Sequence, residues 1–419
     1  MKVLFVNTSE CVGGAAIACN RLMKAMRKHG IATTMLVRDR QTDDADVRSL
    51  TKSFMLKVKF VYERLVIFLN NGFDRGSVFQ VDIANTGSDI TKYKSFIEAD
   101  VIHLHWVNQA FLSLDDLEKI LSSGKRIVVT MHDQWYFTGV CHYSGDCEKY
   151  KTECYDCELI HGLFSDIVSR VFDRKKKIYD MADVTFVSCS RWLADVARRS
   201  KLLEDHDVTS VPNAIDTDFF MPMDKSEARR KWGLPQDKRL MLFGSQKITD
   251  ERKGFRYLVE ACRLIKQRNG ELTERIGVVV LGGKSDLVKS MLPFDVYPID
   301  YVSDQSKIVE LYNSVDVYVT PSLQDNLPNT IAEAMSCGVP CVGFDVGGIP
   351  EMIDHEKNGY VSNYQDSEDL SRGIEWVLES DDYDNISENC RKKALDTYSE
   401  SAVVEQYLKV YDNNHNGNV

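Results

Sequence analysis

Residues 316–344 read DVYVTPSLQDNLPNTIAEAMSCGVPCVGF, and this stretch is the clearest guide to the architecture. An apolar run over 316–320 leads through a polar loop into a helical pattern that ends near Ser336, and a second apolar run follows over 341–344. Short apolar runs separated by a helix are typical of buried parallel strands, because helices cover both faces of such a sheet. The stretch therefore predicts a strand–helix–strand unit of an α/β fold.

The same alternation extends along the rest of the chain. Val- and Ile-rich runs that predict further strands lie at residues 2–6, 32–37, 101–104, 126–131, 184–189, 208–211, 239–243 and 276–281. Helical patterns separate them, among others at 15–29, 114–122, 255–266 and 306–313. Two successive series of this kind predict two doubly wound, Rossmann-like domains that face each other and bind ligands in the cleft at the carboxyl ends of their strands.

A domain boundary is expected near Val211, where a strand ends and Pro212 and Asn213 oppose a helical connection. The length of 419 residues suits two hydrophobic cores. We therefore expect an N-terminal domain over 1–210, a C-terminal domain over 211–398, and a terminal helix with a disordered polar tail over 399–419.

Composition and charge exclude several classes of protein. A hydrophobic fraction of 43% and an aromatic fraction of 10% can fill a core, so a disordered chain is excluded. The net charge of −11 opposes capture of nucleic acid by bulk charge. Residues 1–210 contain 29 basic and 28 acidic side chains, whereas the rest of the chain contains 23 and 35. An anionic ligand of the second half must therefore be bound by local groups.

The N-terminus does not resemble an export signal, because only four apolar residues, 3–6, follow Met1 and Lys2. No run approaches the ~18 consecutive apolar residues of a spanning helix. We therefore expect a cytoplasmic protein whose eleven cysteines are mostly reduced.

The polar loop within residues 316–344 contains candidate ligand-binding groups. Asn329 and Thr330 stand at the start of the predicted helix, where backbone N–H groups and the helix dipole favour phosphate. Asp325 in the loop and Glu333 inside the helix would contact different parts of one ligand. The alternative is that Asn329 or Thr330 caps the helix and that Glu333 is a solvated surface carboxylate.

This segment and its continuation resemble a family signature. EAMSCGVP at 333–340 runs into DVGGIPE at 345–351, and the string is similar to the donor-binding motif of family 4 retaining glycosyltransferases, which have the GT-B fold. The resemblance implies that Asp325 lies near the transferred sugar, where the family usually has the longer Glu, and that Glu333 binds the ribose hydroxyls. It also implies donor contacts at Asn326, Asn329 and Thr330.

The resemblance covers nearly the whole chain and extends to a basic segment. Arg252 and Lys253 follow the predicted strand at 239–243, where the family binds the donor diphosphate. Cations are needed there because negative charge grows on the leaving nucleoside diphosphate as the glycosidic bond breaks. Lys253 matches the family's lysine, and the partner cation is Arg252 or Lys247. The alternative is a solvated basic turn.

Two features of the N-terminal half complete the predicted site. Gly13 and Gly14 separate the first strand from a helix, and glycine lets backbone N–H groups approach an anion closely. The resemblance implies that this loop faces the donor phosphates or the acceptor, and the alternative is an ordinary strand-to-helix turn. His132 ends the strand at 126–131 and looks like the histidine of the family's His-Asp motif, which implies contact with the donor sugar. The alternative is a hydrogen-bonded structural histidine. His103 and His105 end another predicted strand and are expected to line the cleft at the same edge, and a packed structural role is the alternative.

The resemblance implies a retaining glycosyltransferase that moves a sugar from a UDP-sugar or GDP-sugar to a carbohydrate or lipid-linked acceptor during surface polysaccharide assembly. The predicted catalytic residues are His132, Asp325, Lys253 and Arg252. Such enzymes use front-face attack without a bound divalent metal, and no Asp-x-Asp motif stands at the expected cleft positions. The alternatives are a non-catalytic sugar-nucleotide-binding protein and a nucleotide-sugar epimerase of related fold.

The loop over 133–160 contains a cysteine cluster, formed by Cys141, Cys147, Cys154 and Cys157. An even spread of the 11 cysteines would place fewer than one in these 17 residues. The cluster predicts one tetrahedral structural zinc that folds the loop, with His142 and His161 as substitute ligands. Two disulfides or four free thiols are the alternatives. Similar insertions occur in a subgroup of bacterial polysaccharide glycosyltransferases, which this chain resembles.

Residues 54–69 are apolar except for Lys57, Lys59, Glu63 and Arg64. A stretch this apolar is usually a core helix. Its length and basic interruptions also suit a helix on an anionic membrane surface, and the basic run at 174–177 adds charge to the same half. The second interpretation implies peripheral contact with the inner face of a membrane.

Overall fold

The computed structural model describes residues 1–50, 54–162 and 166–412, and the chain forms two compact units. The N-terminal unit comprises Met1–Ala214 together with the chain from Val403 onward, and the C-terminal unit is Ile215–Ala402. The predicted boundary after residue 210 lies four residues before this division. The predicted tail at 413–419 lies outside the described residues.

The N-terminal unit is built on a seven-stranded sheet. Its strands are β1 (Lys2–Ser9), β2 (Ala32–Asp39), β3 (Val47–Ser49), β4 (Val101–Leu104), β5 (Arg126–Met131), β6 (Val184–Ser188) and β7 (Asp207–Ser210). The spatial order is β3-β2-β1-β4-β5-β6-β7, and neighbouring strands are parallel. The order reverses between β1 and β4, so ligands are expected at the carboxyl ends of these strands.

Helices cover both faces of this sheet. They are α1 (Gly14–Lys28), α2 (Phe54–Asn70), α3 (Lys94–Glu98), α4 (Leu114–Leu121), α5 (Ile167–Tyr179) and α6 (Arg191–Arg198). Alternate residues of β1 enter different cores, Leu4 and Val6 on one face and Val3 and Phe5 on the other. Burial on both faces explains why the strands are continuously apolar.

The C-terminal unit has a six-stranded sheet. Its strands are β8 (Arg239–Lys247), β9 (Ile276–Gly283), β10 (Asp295–Ile299), β11 (Val317–Thr320), β12 (Cys341–Phe344) and β13 (Gly359–Ser362). The order is β10-β9-β8-β11-β12-β13, again with parallel neighbours, and it reverses between β8 and β11.

Helices of this unit and the terminal helix complete the fold. They are α7 (Lys225–Trp232), α8 (Phe255–Arg268), α9 (Leu272–Arg275), α10 (Gln305–Asn313), α11 (Asn329–Ser336), α12 (Ile349–Met352), α13 (Ser367–Leu378), α14 (Tyr383–Lys393) and α15 (Glu400–Asp412). Most of α15 belongs to the N-terminal unit, where Val403, Tyr407 and Tyr411 join the core beside β1. The prediction of two doubly wound α/β domains is confirmed, and residues 316–344 form β11, α11 and β12.

Candidate functional site

The C-terminal unit brings predicted donor residues together at the point where its strand order reverses. Lys253 ends a short 3₁₀ helix, Glu251–Lys253, that follows β8, and Asp325 lies in the loop after β11. Lys253 Nζ lies 2.6 Å from Asp325 Oδ2, and Arg252 Nη1 lies 3.7 Å from the same oxygen. We call Arg252, Lys253 and Asp325 the donor cluster. It occupies the place where open α/β sheets bind ligands.

Two glycines allow the loops of the donor cluster to approach each other. Gly254 has a φ of +69°, and a Cβ there would lie 1.8 Å from the Pro321 carbonyl oxygen. Gly347 has a φ of +61°, and its Cβ would lie 1.8 Å from the Asp325 carbonyl oxygen. A side chain at either position would collide with backbone in a conformation that favours glycine. The two glycines therefore fix where Asp325 stands.

The remaining predicted cation lies apart from this ion pair. Lys247 is the last residue of β8, not a residue after the strand, and its side chain is exposed. Arg252 instead joins the loop of Asp325, because its Nη1 also donates to the Gln324 carbonyl oxygen at 2.7 Å. The structure thus groups Arg252, and not Lys247, with Lys253.

The start of α11 contradicts both alternatives, namely that Asn329 or Thr330 caps the helix and that Glu333 is a solvated surface carboxylate. Pro328 occupies the N-cap position, so neither Asn329 nor Thr330 caps the helix. Glu333 is buried, and its Oε2 accepts a hydrogen bond from the Tyr312 hydroxyl at 3.0 Å. Glu333 is therefore a held, inward carboxylate and not a solvated surface group. Burial and the neighbouring Glu333 charge raise the pKa of Tyr312 well above its usual range.

Tyr312 is a site residue that sequence reasoning missed. It lies in α10, where its pattern is that of an ordinary buried aromatic. Asn326 is buried beside the donor cluster in the chain, and the Thr330 side chain hydrogen-bonds Tyr318. Apart from Lys247, the predicted donor residues of the C-terminal unit thus lie in or beside the loop between β11 and α11.

His132 follows β5 in the N-terminal unit, and both of its ring nitrogens have partners there. Its Nε2 lies 2.9 Å from His105 Nδ1, and its Nδ1 lies 3.3 Å from Cys189 Sγ. Burial lowers the pKa of His132 to about 4, against a smaller opposing effect of Asp133. The ring is therefore neutral at pH 7 and is hydrogen-bonded within the unit, and its contact with the donor sugar stays a prediction.

His103, His105 and His132 form a histidine row along the carboxyl ends of β4 and β5. The rings of His103 and His105 have centroids 4.3 Å apart, and both residues are buried. His103 contacts the Tyr411 hydroxyl of α15 at 2.8 Å and, through its other nitrogen, Thr130 Oγ1 at 2.7 Å. The partners of the row come from segments that are distant in the chain. For this reason the sequence did not predict that Tyr411 and Cys189 contact these histidines.

Asp133 turns its carboxylate toward aromatic neighbours. Its Oδ2 accepts from Trp106 Nε1 at 2.8 Å and contacts His142 Nδ1 at 2.8 Å. Burial alone would raise the pKa of Asp133, but His142 and the hydrogen bonds lower it. The Nδ1 atom of His142 is therefore held by Asp133, and its role as a substitute zinc ligand stays a prediction.

Gly13 and Gly14 form an open entrance to α1. Gly13 has a φ of +94° and stands at the N-cap, and Gly14 is the first helical residue. An added Cβ on either residue would meet no heavy atom within 4 Å. The start of this 15-residue helix thus presents backbone to open space, as anion binding requires. The donor contact itself stays a prediction.

Comparisons with known proteins decide the family. A model described as Glycosyltransferase Family 4 matches residues 12–219, and one described as Glycosyl transferases group 1 matches residues 224–395. The chain belongs to glycosyltransferase family 4.

Individual relatives of this glycosyltransferase are distant. An uncharacterized glycosyltransferase of Methanocaldococcus jannaschii is 24% identical, over 79% of this chain and 89% of that protein. The N,N'-diacetylbacillosaminyl-diphospho-undecaprenol alpha-1,3-N-acetylgalactosaminyltransferase of Campylobacter jejuni is 28% identical, over 38% of this chain and 41% of that protein. The structure of Anabaena HepE in complex with UDP-glucose has a TM-score of 0.65 and 14% identity, and the match covers 98% of this chain and 99% of HepE. This likeness supports the GT-B fold.

The cysteines of the glycosyltransferase do not assemble a metal site in this structure. All eleven lie within the described residues and have free thiols, which contradicts the disulfide alternative. Burial raises the pKa of Cys141 to about 12 and that of Cys154 to about 11, while Cys147 is exposed. No group of three or more His, Cys, Asp or Glu side chains among residues 1–50, 54–162 and 166–412 is placed to hold a metal ion. The zinc therefore stays a prediction.

The glycosyltransferase has no membrane-crossing helix in the part of the chain that the structure describes, because none of those helices is both long and apolar enough.

Proposed function

We propose that this glycosyltransferase is a retaining enzyme that transfers a sugar from a UDP-sugar or GDP-sugar to a carbohydrate or lipid-linked acceptor in surface polysaccharide assembly. The observation that carries the proposal is the donor cluster, in which two cations and one carboxylate meet at the strand reversal of the C-terminal unit. Family membership favours transfer over the two alternatives, a binding protein and an epimerase.

Each group of the cluster has a role in this proposal. Lys253 and Arg252 stabilise the negative charge that grows on the diphosphate as the sugar leaves. Asp325, once the diphosphate has taken its place beside Lys253, stands next to the sugar. Glu333, held by the Tyr312 hydroxyl, accepts hydrogen bonds from the ribose.

Retention is proposed to follow from front-face attack by the acceptor hydroxyl. The new glycosidic bond forms as the bond to the diphosphate breaks, and the leaving phosphate oxygen takes the acceptor proton. No protein general base and no metal ion take part, because Lys253 and Arg252 supply the balancing positive charge. His132 is proposed to orient the sugar in its neutral form.

Two relatives support the substrate classes. HepE was crystallised with UDP-glucose, and the Campylobacter relative is named for a diphospho-undecaprenol substrate. These names favour a UDP-sugar donor and a lipid-linked acceptor, with the enzyme at the inner face of a membrane.

A donor screen tests the proposal. Purified protein is incubated with UDP-glucose, UDP-N-acetylglucosamine and GDP-mannose, with and without chelator, while UDP or GDP release and product anomers are followed by NMR. We expect release from at least one donor, unchanged by chelator, and a product that keeps the donor anomer. Nucleotide binding without any turnover would support the binding protein, and an isomerised sugar nucleotide formed without acceptor would support the epimerase. An inverted anomer would contradict retention.

The predicted zinc is tested separately by metal analysis of protein purified without added zinc. We expect one equivalent of zinc in the purified protein. Loss of this zinc should expose four cysteines to alkylation: Cys141, Cys147, Cys154 and Cys157. Metal-free protein with four alkylatable thiols would contradict it.

A further inference from the structure

Helix α2 buries two of its charged residues and exposes many of its apolar ones. Glu63 and Arg64 are buried within the N-terminal unit. Seven large apolar side chains of the same helix are between 38% and 79% exposed, and we call them the apolar face: Phe54, Met55, Val58, Val61, Tyr62, Leu65 and Leu69. Monomeric soluble domains rarely leave a contiguous apolar patch of this kind uncovered.

The apolar face is continuous around the helix axis. At about 100° per residue, all seven side chains fall within an arc of about 120° centred on Val58. No charged residue lies within that arc. Lys57 and Lys59 lie about 100° to either side of Val58, so a lysine borders each edge of the face.

A buried ion triad fixes the helix in this orientation. Arg64 Nη2 lies 2.8 Å from both Glu63 Oε2 and Asp82 Oδ2, and Arg64 Nη1 donates to the Val78 carbonyl oxygen at 2.9 Å. Turning the helix to bury the apolar face would remove these partners, and an unpaired buried charge is strongly unfavourable. The buried ion triad therefore keeps the apolar face directed toward solvent.

One aromatic residue beyond the helix extends the exposed surface. Phe73 is exposed, and its ring contacts that of Phe68, about 80° from Val58 around the helix axis, at a centroid distance of 5.4 Å. Phe79 is also exposed, but its ring contacts Phe60, about 160° from Val58, and so lies outside the apolar face. The surface thus continues from α2 into the segment that follows it.

The exposed charges beside this surface are mainly positive. Lys57 and Arg75 are exposed and Lys59 is half-buried, donating from Nζ to the Gly87 carbonyl oxygen. Asp74 is the one exposed acidic residue over 54–80, all of which the structure describes. The chain as a whole carries a net charge of −11, so this positive border is local. An apolar face edged by lysines complements an anionic lipid surface.

We propose that α2 binds in the interfacial layer of an anionic membrane, with its apolar face in the acyl boundary and Lys57 and Lys59 at the headgroups. The helix has 17 residues, about 25 Å, and so lies along the surface, because spanning the core requires about 30 Å. A second copy of the chain would bring like charges together across the same face. The inference rests on the proposed function, since it supplies the surface on which a lipid-linked acceptor is met.

Vesicle flotation of the full chain tests this inference. The vesicles contain phosphatidylcholine alone or with phosphatidylglycerol, and the face variant is Val61→Glu with Leu65→Glu. The matched control is Ile97→Glu with Met181→Glu, because these two exposed apolar residues of the same unit lie outside the face. We expect the wild type and the control to float with anionic vesicles. The face variant should bind on the order of 100-fold more weakly at an unchanged unfolding midpoint.

Three results would overturn the inference. They are no flotation of the wild type with anionic vesicles, equal flotation of the face variant, or a wild-type dimer that the face variant dissociates while vesicle binding is absent. The last result would assign the face to a second copy. Donor turnover measured in the same samples without vesicles distinguishes failure of this inference from failure of the proposed function.

Discussion

The carboxyl ends of the two sheets differ in the charge and solvent exposure of their candidate site residues. In the C-terminal unit, Lys253 and Asp325 form a 2.6 Å ion pair whose side chains are 24% and 13% exposed. In the N-terminal unit, the histidine row is largely withdrawn from solvent, and burial lowers the pKa of His103 to about 3. The donor cluster keeps ions within reach of a ligand, whereas the histidine row is neutral and the Asp133 carboxylate beside it is buried.

In the proposed function, this contrast separates binding of the diphosphate from orientation of the sugar. A diphosphate needs cations that it can reach, and a partly exposed ion pair provides them by exchanging one anion for another. A sugar is uncharged, and neutral hydrogen-bonding groups in a fixed network can orient it without competing for the diphosphate. The acidic composition of the C-terminal half is no obstacle, because the donor cluster concentrates positive charge locally.

The largest expected effect comes from removing the central cation. Lys253→Ala should lower kcat/KM by about 10²–10³-fold, because the growing diphosphate charge loses its closest partner. The free energy of unfolding should change by less than about 1 kcal/mol, since the ion pair is partly exposed. Donor turnover and denaturant unfolding measure the two effects.

Lys307→Ala in α10 is the matched control, because Lys307 is an exposed lysine of the same unit outside the donor cluster. Equal losses of activity in the two variants would show that the donor cluster does not bind the diphosphate.

The next effect concerns stability and pH in the N-terminal unit. The pKa of His132 is about 4 in the folded protein and ~6.5 in the unfolded chain, so the unfolded chain takes up the proton first as pH falls. The contribution of His132 to stability is complete above about pH 6.5 and is lost as pH falls toward about 4. We expect a loss of about 2 kcal/mol from this residue between pH 7 and 4.5.

Denaturant unfolding of wild type and His132→Asn at the two pH values measures this loss, which should be smaller in the variant. His29→Asn is the control, because His29 is exposed at the end of α1. A pH dependence that His132→Asn leaves unchanged would remove His132 from the neutral row.

A smaller effect is expected at the predicted ribose contact. Glu333→Gln should raise the donor KM roughly tenfold with little change in kcat, because a hydrogen bond to a charged acceptor is weakened in ground and transition states alike. Tyr312→Phe should raise KM less and lower the free energy of unfolding by about 1 kcal/mol. Steady-state kinetics separate the two parameters. An unchanged KM in Tyr312→Phe would show that Tyr312 does not position Glu333.

The smallest expected effect is a gain in nucleotide affinity, in contrast to the losses expected above. Asp325→Asn removes the carboxylate that pairs with Lys253, so UDP or GDP should bind more tightly, by about 1 kcal/mol or roughly fivefold. Transfer should fall at the same time, because Asp325 no longer contacts the sugar as an anion. Calorimetry and turnover test the two directions. Weaker nucleotide binding would show that Asp325 helps to hold the diphosphate.

Local pattern was sufficient for most of the architecture. Central strands are buried on both faces and are therefore continuously apolar. For this reason the predicted bounds of β4, β5 and β12 match the observed ones to the residue. The strands that were missed, β3, β10 and β13, all lie at sheet edges. An edge strand is covered less completely and needs no continuous apolar run, so its sequence resembles a loop.

The candidate site divides in the same way. Asp325, Lys253 and His132 follow strands, and strand ends converge in any parallel sheet, so local sequence located them. Tyr312 and Cys189 come from segments with no motif, and only packing brings them to Glu333 and His132.

Predictions of burial and exposure from basic and apolar patterns differ most from the structure. Lys175, predicted as part of an exposed basic run, is buried with its Nζ 2.5 Å from the Trp135 carbonyl oxygen, and burial lowers the pKa of Lys175 to about 7. In α2 the folded chain exposes Val61 and Leu65 and buries Arg64.

The positions of most strands, the two-domain α/β class and the donor motif thus follow from short-range patterns, because the patterns that predict them are local in the chain. The order of the strands in each sheet comes from the tertiary structure alone. Which face of a helix meets the core, and which partner a buried side chain finds, depend on residues far apart in the chain. Asp82, 18 positions after Arg64, sets the orientation of α2 by completing its ion triad. Asp82 gives the buried Arg64 an opposite charge, and no local pattern predicts that partner.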